Sequence, residues 1–474
     1  MEHPCPARGI NQFCEHNYSL STHNMARNNE IDMLHGPLFV KILKFAVPLA
    51  ASSVLQQLFN SVDVAVVGRF ASSQALAAVG SNGPVINLLI NLFVGISMGA
   101  NVIISNHIGQ NDHQSIRKAI NTVSLVSVFG GVFLLVLGLL AARPILEMMD
   151  SPSDVLDMAV LYLRIYFLGI PFFLIFNFGA SVLRSMGDTR RPLYILLGAG
   201  IVNTVLNLLF VICFHMGVAG VAIATGIANA VSAACIVLLL MHEKDPYRLN
   251  FNALKIDGSE LKRILQIGVP AGIQSMVFSF SNVFLQSAIN GYGSAAVAGS
   301  AAALNFEYYC YFLVVAFDGA AISFIGQNYG AGMNDRVKRV FWICLAMAMA
   351  SCGSANLLFV GWHDFFLHFF STDSEVIHYG SVRMDVALSL QWIACIYEIC
   401  GSSMRGMGKS LLPAVITVFG TCLVRIGWVV LYSPHHHDFG TLLSIYPISW
   451  GLTSVLMCIA FYSATKRLLS HQSS

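Results

Sequence analysis

The sequence predicts an all-α polytopic membrane protein with 12 transmembrane helices in two six-helix lobes. Three observations lead to this prediction. Of the 474 residues, 56% are hydrophobic and only 11% are charged, whereas a soluble domain carries about 25% charged residues. Apolar runs long enough to cross a bilayer, about 20 residues each, recur twelve times along the chain. Finally, sequence landmarks repeat after about 220 residues, and such long internal repeats are typical of duplicated transport proteins.

The apolar runs divide the chain into two halves of six. Taken in order, the predicted spans are 38–67, 76–106, 118–141, 158–183, 193–214, 217–241, 263–289, 296–326, 339–361, 378–403, 411–432 and 443–465. The predicted domains are a polar tail 1–37, an N-terminal lobe 38–241, a linker 242–262, a C-terminal lobe 263–465 and a tail 466–474.

The basic residues predict the orientation of the chain. Of the 26 Lys and Arg residues, 21 fall on one side, in the tails, in alternate loops and at the adjoining ends of spans, and cytoplasmic loops are enriched in these residues. We therefore expect a multi-pass protein of the plasma (inner) membrane with both termini cytoplasmic. The formal net charge of only +2 gives no reason to expect nucleic acid as a partner.

Polar landmarks recur in the same order in both halves. Pro48 pairs with Pro270, Asn60 with Asn282, the run 109–111 with 326–328, and the run 184–187 with 405–408. Because each half contains an even number of spans, the lobes should be related by a pseudo-two-fold axis along the membrane normal. Two such lobes can rock around a site between them, so the repeat favours a transporter.

Ionisable side chains inside a membrane are costly, and each is therefore a functional candidate. The predicted spans contain Asp63, Arg164, Glu307, Asp318, Arg383, Asp385, Glu398 and Arg425. The acids outnumber the bases by two, which favours a cation as the transported or coupling species.

Asp63 is the clearest candidate in the first half. Gln56, Asn60 and Asp63 have i, i+4, i+7 spacing and so share one helix face, which must contact protein or water. One interpretation is that Asp63 is a coupling-ion residue and that Gln56 and Asn60 line a substrate cavity. The alternative is an aspartate near the outer interface that is merely solvated.

Two further helices of the first half carry polar pairs with i, i+4 spacing. These are Asn203 with Asn207 and Thr225 with Asn229. Together with Asp63, oxygens of Asn203, Asn207 and Thr225 could bind a hard cation such as Na⁺. The alternative interpretation is ordinary hydrogen bonding between helices, and spacing alone leaves both open.

In the second half, Asn282, Glu307 and Glu398 are the predicted substrate-cavity residues. Arg425 should lie near the middle of the membrane, where an unpaired guanidinium is unfavourable. Our hypothesis is that it pairs with Glu307 or Glu398, either as a structural ion pair or as part of a substrate contact.

No cofactor or resident metal is expected. His3, Cys5, Cys14 and His16, and the run His435, His436 and His437, do not have the spacing of a known zinc site.

The chain resembles the multidrug and toxic compound extrusion family, bacterial type. The resemblance rests on the segments 31–37, 45–48, 57–60 and 68–70 with Asp63, and on the repeated runs described above. It implies two six-helix lobes that export organic cations in exchange for H⁺ or Na⁺. It also implies that Asp63 is the coupling carboxylate, that Pro48 is a hinge, and that Asn203, Asn207 and Thr225 complete the site.

Two departures from the family pattern affect the expected coupling. Asn207 stands where many members have Asp, and the acid that some members have in span 7 is absent. The first departure weakens the case for Na⁺ over H⁺. Because the span-7 acid is absent, we expect Glu307 and Glu398 to take over the role that this acid has in those members.

The expected function is thus a secondary active antiporter that exports small organic cations by alternating access, acting as a monomer in the lipid bilayer. A flippase of lipid-linked precursors from the same superfamily is the nearest alternative, but it should have a more basic cavity. A membrane-embedded enzyme is a second alternative, but no paired metal-binding motif supports it.

Overall fold

The computed structural model describes residues 30–71, 73–149, 153–432 and 438–470. Within these ranges, 12 helices are long and apolar enough to cross a membrane. In order they are α1 Leu38–Phe70, α2 Ala77–Gly109, α3 His113–Met148, α4 Val155–Ser185, α5 Arg190–Cys213, α6 Gly217–Met241, α7 Gly258–Asn290, α8 Ser294–Gly330, α9 Asn334–Gly361, α10 Ser374–Gly406, α11 Leu411–Leu431 and α12 Phe439–Lys466. The predicted all-α, twelve-span fold is confirmed, and the chain is a multi-pass membrane protein. The His and Cys residues considered as metal ligands lie outside the described residues.

The helices run further than the predicted spans because polar caps extend them beyond the apolar runs. The Asp112 carboxylate accepts a hydrogen bond from the Ser115 N–H before α3, and the Asp257 carboxylate accepts from the Ser259 and Glu260 N–H groups before α7. Side-chain acceptors at this position satisfy helix N–H groups that have no intrahelical partner.

Two helices contain π-helical turns near the sites described below. In α5 the π turn Leu209–Cys213 directly follows Asn207. In α11, π turns at Val418–Leu423 and Trp428–Tyr432 flank Arg425. Such turns change the direction of the following side chains and are frequent at functional sites.

The helices of the second half repeat those of the first with a shift of 221 or 222 residues: the ends of α2 and α8, Gly109 and Gly330, differ by 221, and Pro48 and Pro270 differ by 222. One predicted landmark pair is out of register. Residues 326–328 lie inside α8 rather than at its end, so they do not correspond to 109–111. The equivalent residues are Asn106 and Asn328, which each donate to the carbonyl four residues earlier, at 2.9 and 2.8 Å.

The two hydrophobic cores cross the predicted lobe boundaries. The first part of α1, including Ile42 and Phe45, packs in the core of the C-terminal lobe. Reciprocally, Ile264 and Ile267 at the start of α7 pack in the core of the N-terminal lobe. Pro48 follows the exchanged part of α1, at a point where proline removes a backbone hydrogen bond and favours a bend. This arrangement fits the predicted hinge at Pro48, whose movement stays a prediction.

Both described chain ends lie at one end of the helix bundle, which we name the terminal end; the opposite end is the far end. In the terminal half, α2 and α7 touch backbone to backbone through paired glycines. A Cβ added to Gly95 would lie 2.3 Å from the Gly272 nitrogen, and one added to Gly99 would lie 2.4 Å from the Ile264 oxygen. Small residues allow this close approach of membrane helices.

Hydrogen bonds also join the lobes in the terminal half. The Asn101 amide donates to the Ser323 hydroxyl at 3.1 Å, the Gln327 amide donates to the Ser185 carbonyl at 2.6 Å, and the Asn106 amide donates to the Gly406 carbonyl at 3.3 Å. The lobes are therefore closely packed at this end of the molecule.

Candidate functional site

The first cavity lies in the far half of the N-terminal lobe, and we name it the N-cavity. It has a volume of about 250 Å³. Asp63, seven residues before the end of α1, lies roughly 10 Å from the far end at 1.5 Å per residue. Polar residues lining the N-cavity include Gln56, Asn60, Asp63, Asn87, Tyr166, Asn177, Asn203, Thr225 and Asn229.

Glycine brings the helices of this cavity together. A Cβ added to Gly200 of α5 would lie only 1.8 Å from the ring of Phe59 of α1. This contact sets α1 against α5, and it places the predicted face of α1 towards the Asn203–Asn207 face. Gln56 and Asn60 are exposed and line the same cavity as Asp63.

The four predicted coupling-ion residues lie in one hydrogen-bonded group. The Asn207 amide donates to one oxygen of the Asp63 carboxylate, and the Thr225 hydroxyl lies 3.3 Å from the other. Asn203 joins them, because its oxygen accepts from Asn207 at 3.3 Å and its amide donates to Thr225 at 3.2 Å.

All of these partners of Asp63 are neutral. Asp63 is only 9% exposed, and the ion pairs found among the described residues do not include it. The Asn207 side-chain oxygen is also buried without a hydrogen-bond partner in the described part of the chain. Since buried polar atoms are nearly always satisfied, the carboxylate and this free acceptor together can hold a proton or a small hard cation.

The second cavity lies in the far half of the C-terminal lobe, and we name it the C-cavity. Its volume is about 140 Å³. The residues that line it are Phe278, Asn282, Gln286, Ile289, Leu304, Glu307, Tyr308, Tyr311, Arg383, Gln391, Ala394, Tyr397, Arg425, Tyr446 and Trp450. Asn282 and Glu307 are thus both at this cavity, as predicted.

The hypothesis that Arg425 pairs with a glutamate is wrong. Glu307 instead forms an ion pair with Arg383 of α10, with N–O distances of 2.6 and 3.1 Å. This two-pronged contact gives Glu307 its counter-charge, and the ion pairs found among the described residues do not include Arg425. Arg425 donates to the Ser449 hydroxyl at 3.1 Å and to the Asn282 oxygen at 3.2 Å.

Glu398 is not among the residues that line the C-cavity. Its carboxylate accepts a hydrogen bond from the Tyr311 hydroxyl at 3.2 Å, and it therefore lies behind that ring. Glu307 and Glu398 do not form the shared acidic site that we expected, because one is neutralised by Arg383 and the other is screened by Tyr311.

A second polar cluster joins Asp318 of α8 to a face of α10 that carries Ser402 and Arg405; the sequence predicts the face but not its contact with Asp318. Ser402 donates to the Asp318 carboxylate, and Arg405 contacts Ser402 at 3.4 Å and Gln274 at 2.7 Å. Arg405 had been placed beyond the end of span 10, but it lies inside α10 and is 4% exposed. The buried acids and bases are therefore more evenly balanced than predicted.

Comparison with known proteins places this geometry in a family. The MatE family model matches residues 48–209 and 270–431, one match in each half. The chain is 27% identical over 428 residues to the probable multidrug resistance protein YoeA of Bacillus subtilis, covering 88% of this chain and 92% of that protein. It is 26% identical to the probable multidrug resistance protein NorM of Thermotoga maritima, covering 81% and 84%.

Solved structures show the same fold. A MATE protein in the bent conformation superposes with a TM-score of 0.85 at 19% identity, covering 92% of this chain and 97% of that one. An outward-facing multidrug resistance MATE transporter gives 0.85 at 21% identity, covering 93% and 98%. These matches favour a transporter over the alternative of a membrane enzyme. With both halves matched by its model, the chain belongs to the MatE family of multidrug and toxic compound extrusion transporters.

Proposed function

We propose that the protein is a secondary active antiporter that exports small organic cations in exchange for H⁺ or Na⁺. The observation that carries the proposal is the environment of Asp63, which is a buried carboxylate with only neutral partners in the N-cavity. The names of the relatives, which are multidrug resistance and export proteins, support the export of drugs; that these drugs are cations is proposed from the charge of Asp63.

Coupling follows from competition at Asp63. One carboxylate without a basic partner has room for one positive charge, supplied by a proton, a sodium ion or a cationic substrate. The ligands drive exchange when each favours a different access state of the two lobes. With the terminal half closed, the state described here exposes Asp63 towards the far half, where the incoming ion would displace the substrate.

The orientation is also part of the proposal. The terminal end carries most of the Lys and Arg residues of the loops, so we assign it to the cytoplasm. The far cavities then belong to the outward-facing state of a plasma-membrane protein, which we expect to act as a monomer.

The experiment is transport in liposomes containing the purified full-length protein. Ethidium movement is followed by fluorescence while a pH gradient and a Na⁺ gradient are imposed separately. We expect one of the two gradients to drive ethidium movement, and Asp63→Asn to abolish it. Asp385→Asn is the matched control, because Asp385 is an exposed aspartate of α10 outside both cavities.

Equal ethidium movement in the wild type and in Asp63→Asn would contradict the role of Asp63. Absence of movement under either gradient would contradict cation antiport and favour a flippase instead.

A further inference from the structure

Arg425 is a buried cation without an acidic partner in the described structure. It is 1% exposed, and its hydrogen-bond acceptors, Ser449 and Asn282, are both neutral. Its Nη2 atom is buried and has no hydrogen-bond partner among the described residues. A guanidinium has five N–H donors, so part of this hydrogen-bonding capacity is unused.

The other charged groups of the C-cavity cancel each other. Glu307 and Arg383 form a two-pronged pair, and an oxygen of Glu398 is engaged by Tyr311 outside the cavity lining. The lining therefore has a formal charge of +1, which comes from Arg425. An uncompensated buried charge is unfavourable, and a bound anion would relieve it.

The internal repeat shows independently that the positive charge of Arg425 distinguishes the C-cavity from the N-cavity. The two family-model matches begin at residues 48 and 270, and the same shift superposes Arg425 on Asn203 and Leu285 on Asp63. The acid of the N-cavity thus corresponds to Leu285, a buried core residue outside the C-cavity lining, and an amide of the N-cavity corresponds to the arginine of the C-cavity. The two equivalent cavities have opposite formal charges.

The surroundings of the guanidinium select the kind of anion. The Arg425 guanidinium carbon lies 4.7 Å from the centre of the Tyr446 ring, 5.3 Å from Phe278 and 5.9 Å from Trp450. All three rings lie within cation–π range of the guanidinium, and its unused N–H donors, at Nη2, lie at the edge of the group. An edge-on guanidinium matches a planar carboxylate, and the aromatic walls suit an apolar ligand body.

We propose that Arg425 forms a subsite for the carboxylate of an organic substrate, either a zwitterion or an organic anion. The C-cavity volume of about 140 Å³ is below that of a drug-sized pocket, roughly 300–1,000 Å³, so the subsite takes the carboxylate end of a ligand rather than a whole drug-sized molecule. This subsite is separate from the cation competition at Asp63, and its occupancy does not depend on which ion drives transport.

The test is equilibrium binding of two dyes to the purified full-length protein in lipid nanodiscs without any gradient. Rhodamine 110 has a free carboxylate, and rhodamine 123 is its methyl ester, so the pair differs at the group in question. We expect Arg425→Gln to weaken rhodamine 110 binding by about tenfold or more and to leave rhodamine 123 within about threefold, since hydrogen bonds between charged groups are the strong ones.

Arg164→Gln is the matched control, because Arg164 is an exposed arginine of α4 and its replacement should change neither dye. Arg425→Lys, which keeps the charge but loses the two-pronged geometry, should give an intermediate affinity for rhodamine 110. Equal loss of both dyes in Arg425→Gln, or no loss of rhodamine 110, would overturn the subsite.

A second measurement needs no variant, in case Arg425→Gln does not fold. Benzoate and benzamide have the same ring and similar shapes, but only benzoate is charged. We expect benzoate to displace rhodamine 110 from the wild-type protein at concentrations at least about tenfold lower than benzamide. Equal displacement by the two compounds would mean that the cavity does not recognise a carboxylate.

Discussion

At the residue scale, the sequence predicts side chains that share a helix face better than side chains that meet across helices. Gln56, Asn60 and Asp63 were predicted from i, i+4, i+7 spacing, and they do line one cavity. The partner of Arg425 was predicted wrongly because the choice between Glu307 and Glu398 depends on how α8, α10 and α11 pack. The same packing places Arg383, rather than Arg425, against Glu307. No spacing within one helix predicts this contact.

The buried Glu307–Arg383 pair gives the first stability prediction. Glu307→Gln leaves the Arg383 guanidinium buried without a counter-charge, and breaking such a pair costs about 3–5 kcal/mol. We expect a large drop in the melting temperature of the detergent-solubilised protein, measured by fluorescence-detected size-exclusion chromatography after heating.

The double variant Glu307→Leu with Arg383→Met is the control, because it removes both charges. It should be more stable than Glu307→Gln alone. If the single variant is as stable as the wild type, the pair is not a buried ion pair in the folded protein.

At the element scale, the capping of α7 gives a prediction with a defined pH dependence. A hydrogen bond from the Ser259 hydroxyl, followed by one from the Glu260 N–H, lowers the pKa of Asp257 to about 2. The folded-state pKa is below the ordinary value, so the contribution of this carboxylate to stability is fully present above about pH 4. It is lost only as the pH falls through about 2.

Asp257→Ala should therefore lower the melting temperature by the same amount at pH 5.5 and at pH 8. Melting curves of the wild type and the variant at the two pH values provide the check. If the melting-temperature difference between wild type and Asp257→Ala changes from pH 5.5 to pH 8, Asp257 titrates in this range, contrary to the cap geometry.

The glycine contact between α2 and α7 gives the third prediction. Gly99→Ala would place a methyl group 2.4 Å from the Ile264 oxygen, and forcing extra atoms into a packed contact costs about 1–3 kcal/mol. We expect a lower melting temperature and slower ethidium transport, because the terminal half can no longer close fully.

Gly198→Ala is the control for this variant. An added Cβ at Gly198 meets nothing within 4 Å, and alanine is favoured over glycine inside helices. Its melting temperature should be equal to or above that of the wild type. If both alanine variants behave alike, the α2–α7 contact is not tight.

At the scale of the whole molecule, composition and the internal repeat were enough to predict twelve spans in two halves. They could not predict that the first parts of α1 and α7 are exchanged between the two cores, because apolar helices have similar composition whichever neighbour they pack against. The exchange is a property of the three-dimensional arrangement, and it makes Pro48 a point where α1 passes from one lobe to the other.

We expect transport to require that the terminal half closes and then opens again in each cycle. Asn101 and Ser323 lie on facing helices with their polar atoms 3.1 Å apart, so cysteines at these positions should lie within reach of a short reducible cross-linker that reacts with thiols. In a transport-competent background without the native cysteines, we expect cross-linking of this pair to stop ethidium transport and reduction of the cross-linker to restore it. Unchanged transport after complete cross-linking would mean that the lobes need not separate at this end.

The most direct test of Asp63 as the shared site is to count the ions released when substrate binds. Ethidium is titrated into purified protein in weakly buffered solution, and proton release is followed with a pH indicator; the same titration is repeated with radioactive Na⁺. If the binding is competitive, about one H⁺ or Na⁺ should be released per ethidium bound by the wild type, and none by Asp63→Asn. Ethidium binding that releases no ion from the wild type, or equal release from Asp63→Asn, would contradict exchange at Asp63.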